Sequence, residues 1–153
     1  METLAFWIIL SRLADASVIL FFSAVVITLL LINHKWLYVK RFFLAILGAG
    51  ITVELLKVTT RVPRLPNGLI ETSTYAFPSG HAATASVFYG LLGIWLTRFS
   101  GRKVYQYAGV ALSLLIAYSR LALNVHTPFQ VITGLLIGWL FVWGVYEMER
   151  QHT

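Results

Sequence analysis

Five apolar blocks, roughly Ala16–Ile32, Phe42–Leu56, Ala82–Leu96, Val104–Tyr118 and Val131–Tyr146, limit what this chain of 153 residues can become. Each falls a little short of the roughly 20 residues that cross a bilayer as a helix. One further turn taken from the flanks closes the gap. The blocks are apolar all round, whereas a helical bundle in water needs polar outer faces. Composition agrees: 58% of the residues are hydrophobic and 12% are charged, against about 25% charged in an ordinary soluble domain. The sequence therefore predicts an all-α, polytopic membrane helical bundle of about five transmembrane helices, forming one integral membrane domain over residues 1–153.

The N-terminal apolar run Leu4–Leu10 is too short to span. With Ala14-Asp15-Ala16 behind it, the run has the outline of a signal peptide, but Glu2 stands where a basic residue belongs and Arg12 interrupts the pattern. A short interfacial helix over residues 1–14 fits better. There is no cysteine, which excludes a disulfide framework and a thiolate metal site. The net charge of +6 invites a nucleic-acid reading. The basic residues lie between apolar blocks and not along one polar face, so no nucleic-acid partner is expected.

Five spans send the connections alternately to two sides. One side receives Lys35, Lys40, Arg41, Arg98, Arg102, Lys103 and Arg150; the other receives Arg12, Lys57, Arg61, Arg64 and Arg120. The positive-inside rule makes the first side cytoplasmic.

The other side collects nearly every residue able to do chemistry. "KVTTRVPRLP" (Lys57–Pro66) ends the second span, "PSGH" (Pro78–His81) opens the third, and "SRLALNVHTPFQ" (Ser119–Gln130) joins the fourth to the fifth. Each has a plain alternative. Cations at a membrane edge snorkel, Pro-Ser-Gly starts a helix with serine as its N-cap, and a lone interfacial histidine is an ordinary polar residue. Together they make a basic pocket with two histidines, which suits a phosphate. Free N–H groups and the helix dipole at Gly80 and His81 bind anions. Arg64 and Arg120 offer planar forks to phosphate oxygens, and Lys57 adds a point charge. Two histidines suit a two-step displacement, one as nucleophile and one as acid. Glu54, three residues before Lys57, reads as its ion-pair partner on the same helix face.

These clusters resemble the signature of the type 2 phosphatidic acid phosphatase family, membrane relatives of the vanadium haloperoxidases. Lys57 and Arg64 keep the spacing of the first motif, with Leu65 where the family has proline and Pro66 one residue later. Pro78, Ser79, Gly80 and His81 match the second motif in full. Ser119, Arg120 and His126 match the third, with Gln130 at the aspartate position. The resemblance spans about Phe42–Trp143. It implies that His126 is the nucleophile and His81 the general acid. Lys57, Arg64 and Arg120 then hold the phosphoryl oxygens, and Ser79 and Gly80 complete the cradle. It implies no metal and no cofactor, because the cations supply the charge. Arg61 has no role in the motif.

Three functions compete. The first is a lipid phosphatase, or a transferase passing the phosphoryl group to another acceptor. The second is a non-catalytic lipid-phosphate binding or transport protein, which Gln130 keeps open because glutamine brings no charge to His126. The third, a soluble haloperoxidase, conflicts with the apolar blocks. Gln130 also reads as the N3 residue of a capping box with Thr127 as N-cap and Pro128 at N1. On the catalytic reading, in which Gln130 orients His126 without a charge, slow turnover is expected. Phosphatidic acid, phosphatidylglycerol phosphate, undecaprenyl diphosphate and a lipid A phosphate are all compatible substrates, with the bilayer as the other partner. Undecaprenyl diphosphate is favoured, because its phosphate is presented on the non-cytoplasmic side of a bacterial inner membrane. The segment Leu65–Phe77 is expected to rim the pocket, with Leu69, Ile70, Tyr75 and Phe77 near the lipid tail.

Overall fold

The apolar blocks become helices in a computed structural model that describes residues 2–70 and 74–151. In chain order they are α1 (Glu2–Arg12), α2 (Ala16–Ile32), α3 (Trp36–Thr60), α4 (Gly80–Ser100), α5 (Val104–Ala122) and α6 (Pro128–Arg150). No strand occurs among the described residues. The fold is thus all-α, as expected. By length and hydropathy, α3 and α6 each suffice to cross a membrane, and α1 with α2 suffice as a pair bent by 48°. Large apolar side chains cover the outside: Phe129 is 70% exposed, Leu20 69% and Ile32 68%. Apolar surface on that scale belongs against lipid.

Helix α4 is the hub and packs on α3, α5 and α6. Its buried residues run almost continuously from Ala82 to Leu91, many of them small. Small residues let membrane helices approach closely, where packing and not water exclusion drives association. Gly109 shows the constraint, since a methyl there would collide with the Tyr89 carbonyl of α4. Gly134 does the same beneath the histidine cluster, where a methyl would collide with the Ser79 carbonyl.

The helices overrun the apolar blocks at the ends. Helix α3 begins before Phe42 because Arg41 is buried, its guanidinium 3.7 Å from the carboxylate of Glu149 on α6. Trp95 and Arg98 of α4 donate to the same carboxylate at 2.9 and 2.8 Å. This buried cluster ties α3, α4 and α6 at the end away from the motifs. Glu54 and Lys57 form the expected i,i+3 pair at 2.8 Å. Arg61 takes a left-handed conformation (φ 49°), and its N–H closes α3 on the Lys57 carbonyl. Its side chain turns back to the Val58 carbonyl at 3.2 Å, so its place is at the helix end.

Candidate active site

Three helix ends and two connections meet at one cavity of about 450 Å³. Lys57 reaches it from the last turn of α3, Gly80 and His81 from the first turn of α4, and Arg120 from the last turn of α5. Arg64 enters from the 61–79 connection and His126 from the turn between α5 and α6. The three separated motifs therefore share one space. A Cβ built on Gly80 would lie 3.5 Å from the Lys57 ammonium, which places that cation against the α4 N-terminus.

The turn that carries His126 is closed locally. Thr127 is the N-cap of α6, Pro128 follows, and the capping box with Gln130 is present in both directions. The Gln130 side-chain oxygen accepts the Thr127 N–H at 3.1 Å and lies 3.0 Å from His126 Nδ1. Cap and histidine partner are thus one atom. Because that oxygen already accepts from Thr127, His126 Nδ1 must carry the hydrogen. Nε2 is left with its lone pair, which accepts from the Arg64 guanidinium at 2.8 Å. Burial first, and then the Arg64 charge, pushes the His126 ring down to about 4, against a weaker opposite effect of Gln130. At neutral pH the ring is uncharged, as a nucleophile requires.

Arg64 is fixed by its own segment. It donates to the Thr74 carbonyl at 2.7 Å, the Thr74 hydroxyl at 3.0 Å and the Val125 carbonyl at 3.3 Å. The Leu65 departure from the motif therefore leaves the guanidinium anchored. Arg120 is buried; one of its terminal nitrogens donates to the Ser11 hydroxyl, and its Nε has no partner. Ser79 holds the N-cap position of α4, but its hydroxyl makes no cap bond and is also buried without a partner. Its backbone N–H instead donates to the Gln130 carbonyl at 3.0 Å, linking the second motif to the third. A buried polar atom left unpaired costs about 1–3 kcal/mol, and in native proteins it calls for an explanation. Arg120 lines the cavity, where a phosphoryl oxygen would give it a partner, whereas Ser79 lies behind Gly80 and is not among the lining residues.

Two contributors were missed by sequence reasoning. Asp15, between α1 and α2, places a carboxylate oxygen 2.9 Å from His81 Nε2. Ser11, on α1, holds Arg120. Both line the cavity, as do Ile8 and Arg12. The only sequence signal was the occurrence of two charges, Arg12 and Asp15, beside an apolar run on the motif side. Of the expected rim, Ile70 lines the cavity. Leu69 and Tyr75 point outward at 55% and 41% exposure, and Phe77 stacks on Phe129 with ring centroids 5.6 Å apart. Residues 71–73 of that rim, and the end of the tail at 152–153, lie outside the described residues.

Comparison with known proteins points the same way. A family model described as the PAP2 superfamily matches residues 38–153. Phosphatidylglycerophosphatase B of Bacillus subtilis is 32% identical over 89 residues, which are 54% of this chain and 43% of that protein. An undecaprenyl-diphosphatase of Sulfolobus acidocaldarius is 37% identical over 67 residues, 43% of this chain and 30% of the relative. These matches cover less than half the length of either curated relative. Among solved structures, the transmembrane PAP2 type phosphatidylglycerolphosphate phosphatase from Bacillus subtilis superposes with a TM-score of 0.92 at 19% identity, covering 99% of this chain and 79% of that one. Aquifex aeolicus LpxE gives a TM-score of 0.77 at 25% identity, covering 95% and 86%.

Proposed function

Since this chain belongs to the PAP2 superfamily, we propose that it is a membrane-embedded lipid phosphatase that works without a metal, through a phosphohistidine. The observation that carries this reading is the single cavity lined by Lys57, Arg64, Gly80, His81, Arg120 and His126. Four cations, counting Arg12, together with a helix N-terminus and two imidazoles leave little for such a space to hold but a phosphoryl group. Lys57, Arg64, Arg120 and Gly80 bind its non-reacting oxygens. Arg64 releases His126 Nε2 as it takes up the phosphate. The lone pair then attacks phosphorus, the P–O bond to the lipid breaks, and His81 gives its proton to the departing oxygen. Water attacks the phosphohistidine in turn, His81 takes the water's proton, and inorganic phosphate leaves.

The substrate is a lipid phosphate or diphosphate, with undecaprenyl diphosphate first and phosphatidylglycerol phosphate, phosphatidic acid and a lipid A phosphate behind it. The names of two relatives, a phosphatidylglycerophosphatase and an undecaprenyl-diphosphatase, support the first two; the other two rest on the family resemblance. Purified protein in detergent, offered each lipid, is expected to release inorganic phosphate from at least one. Release from none overturns the reading in favour of a binding protein.

In this reading α2–α6 are the five spans, the motifs occupy a core over residues 42–143 of one membrane domain, and α1 leans across the site end. The basic connections support a site on the non-cytoplasmic side, and the family resemblance supports a bacterial inner membrane. Single cysteines, in a chain that has none, test the orientation. Position 124 is expected to react with an impermeant maleimide in intact cells, and 34 and 101 only after lysis, all three being exposed, whereas a cysteine at the buried position 79 is expected to stay unlabelled on either side. The opposite pattern moves the chemistry to the cytoplasm.

Gln130 bears on rate. An aspartate lost beside a catalytic histidine costs about 10⁴ in serine proteases, largely because the wrong tautomer results. Here the tautomer is held by an amide oxygen fixed on Thr127, so only the charge is missing. A charge-assisted hydrogen bond is roughly twice as strong as a neutral one. Gln130→Asp is therefore expected to raise kcat at least about tenfold while KM stays within a factor of about three. A flat or lower kcat means that glutamine is a full working replacement.

A further inference from the structure

The N-terminal helix and its turn lie before the residues matched by the family model, which begin at 38. Nevertheless two of their side chains hold residues of the second and third motifs. Ser11 accepts a hydrogen bond from Arg120, across 109 positions of sequence. Asp15 pairs with His81 Nε2 at 2.9 Å, across 66 positions. The turn between them is pinned to the same helix as His81, since the Tyr89 hydroxyl donates to the Leu13 carbonyl at 2.8 Å. Tyr89 lies eight residues beyond His81 on α4, about two turns away, so turn and histidine are held to one rigid element.

The charges around His81 give the pairing a purpose. Arg12 from the end of α1, Lys57 of α3, Arg64 from the 61–79 connection and Arg120 of α5 all line the same cavity as His81. Such neighbours suit a phosphate but oppose a proton-bearing imidazole. Among the described residues lining the cavity, Asp15 is the only carboxylate. Its side chain is 44% exposed and that of His81 28% exposed, so the pair sits at the mouth, where a leaving group would depart.

We propose that Asp15 is a positioning residue that keeps His81 ready as the proton donor of phosphoryl transfer, making the N-terminal helix part of the active site. The proposal rests on the phosphatase reading given above. A charged imidazole has two N–H groups. Asp15 accepts the one on Nε2 and thereby orients the ring, and the other nitrogen's proton goes to the lipid oxygen as its bond to phosphorus breaks. His81 is then neutral and Asp15 is still ionised. The water that later attacks the phosphohistidine returns a proton to His81, so the pair ends as it began. The acidic partner that the third motif places on the nucleophile is here found on the acid.

Leaving-group dependence separates this role from a structural one. Single-turnover phosphoryl transfer is measured from a short-chain phosphatidic acid, whose alcohol needs a proton to depart, and from 4-nitrophenyl phosphate, whose phenolate does not. Asp15→Asn is expected to slow the alkyl reaction about tenfold, with KM within a factor of about two, and to leave the aryl reaction within about twofold. Equal losses on both substrates, or no loss on either, overturn the proposal. A second measurement needs no turnover. In protein labelled with ¹⁵N-histidine, Asp15→Asn is expected to move the ring resonances of His81 and leave those of His126 in place. Unmoved His81 resonances overturn the proposal even if the wild-type chain hydrolyses nothing, whereas wild-type inactivity with a moved His81 signal counts against the phosphatase reading alone.

Discussion

His126→Ala is expected to abolish phosphoenzyme formation and to lower phosphate release from any lipid substrate by on the order of 10⁶, the scale of loss when the nucleophile of a covalent hydrolase is removed. The size follows from what the imidazole does. In the proposed mechanism its Nε2, freed from Arg64, is the atom that bonds to phosphorus, and no other described imidazole but His81 lines the cavity. The variant is expected to fold. Gln130 keeps its capping bond to the Thr127 N–H when the ring is gone, and α6 retains Pro128 in its first turn. It is also expected to bind inorganic phosphate, because Lys57, Arg64 and Arg120 remain. Brief reaction with ³²P-labelled lipid followed by quenching in base, where phosphohistidine survives, reads the intermediate directly. Label retained on the alanine variant would assign the nucleophile elsewhere. Loss of label together with loss of phosphate binding would reduce His126 to a structural part.

The motifs were legible because each is short and keeps its spacing within one stretch of chain. The bundle was legible because a bilayer admits only helices and closed barrels, and blocks apolar on every side lack the alternation of barrel strands. The helix ends were not. Apolar periodicity stops where Lys57, His81 and Arg120 begin, yet the backbone stays helical through Thr60, from Gly80 and to Ala122. The same residues that end the hydrophobic signal are the ones held at the cavity. At the far end α3 starts six residues before Phe42, since Arg41 is buried against Glu149 and a lone arginine in sequence gives no hint of a partner 108 positions away. Asp15 was illegible for the same reason. A carboxylate beside a short apolar run reads as the flank of that run, and only the bend of 48° between α1 and α2 brings it to His81. Gln130 was half legible: the capping box could be read from Thr127-Pro128-Phe129-Gln130, and the histidine partner from the four-residue spacing to His126. That one oxygen serves both required the turn itself.

His81→Ala is expected to slow phosphoryl transfer from a lipid phosphate by about 10²–10⁴, the usual contribution of a general acid. An alkoxide is a poor leaving group, and without a proton the P–O bond must break with full charge on the departing oxygen. A 4-nitrophenolate leaves without help, so the first step from the aryl ester should be nearly intact in the variant. The second step should not be. By microscopic reversibility the group that protonates the leaving oxygen also deprotonates the attacking water. The variant offered 4-nitrophenyl phosphate should therefore give a stoichiometric burst of 4-nitrophenolate and then stall, with phosphohistidine accumulated on His126. The cradle that forms the intermediate does not depend on the missing ring: Gly80 and Lys57 stay together at the α4 N-terminus, and Arg120 keeps its hydrogen bond to Ser11. What is lost is the imidazole that pairs with Asp15, and with it the base proposed to activate the water. An unchanged rate on the lipid would remove His81 from proton transfer. A slow first step on the aryl ester as well would make it a binding residue.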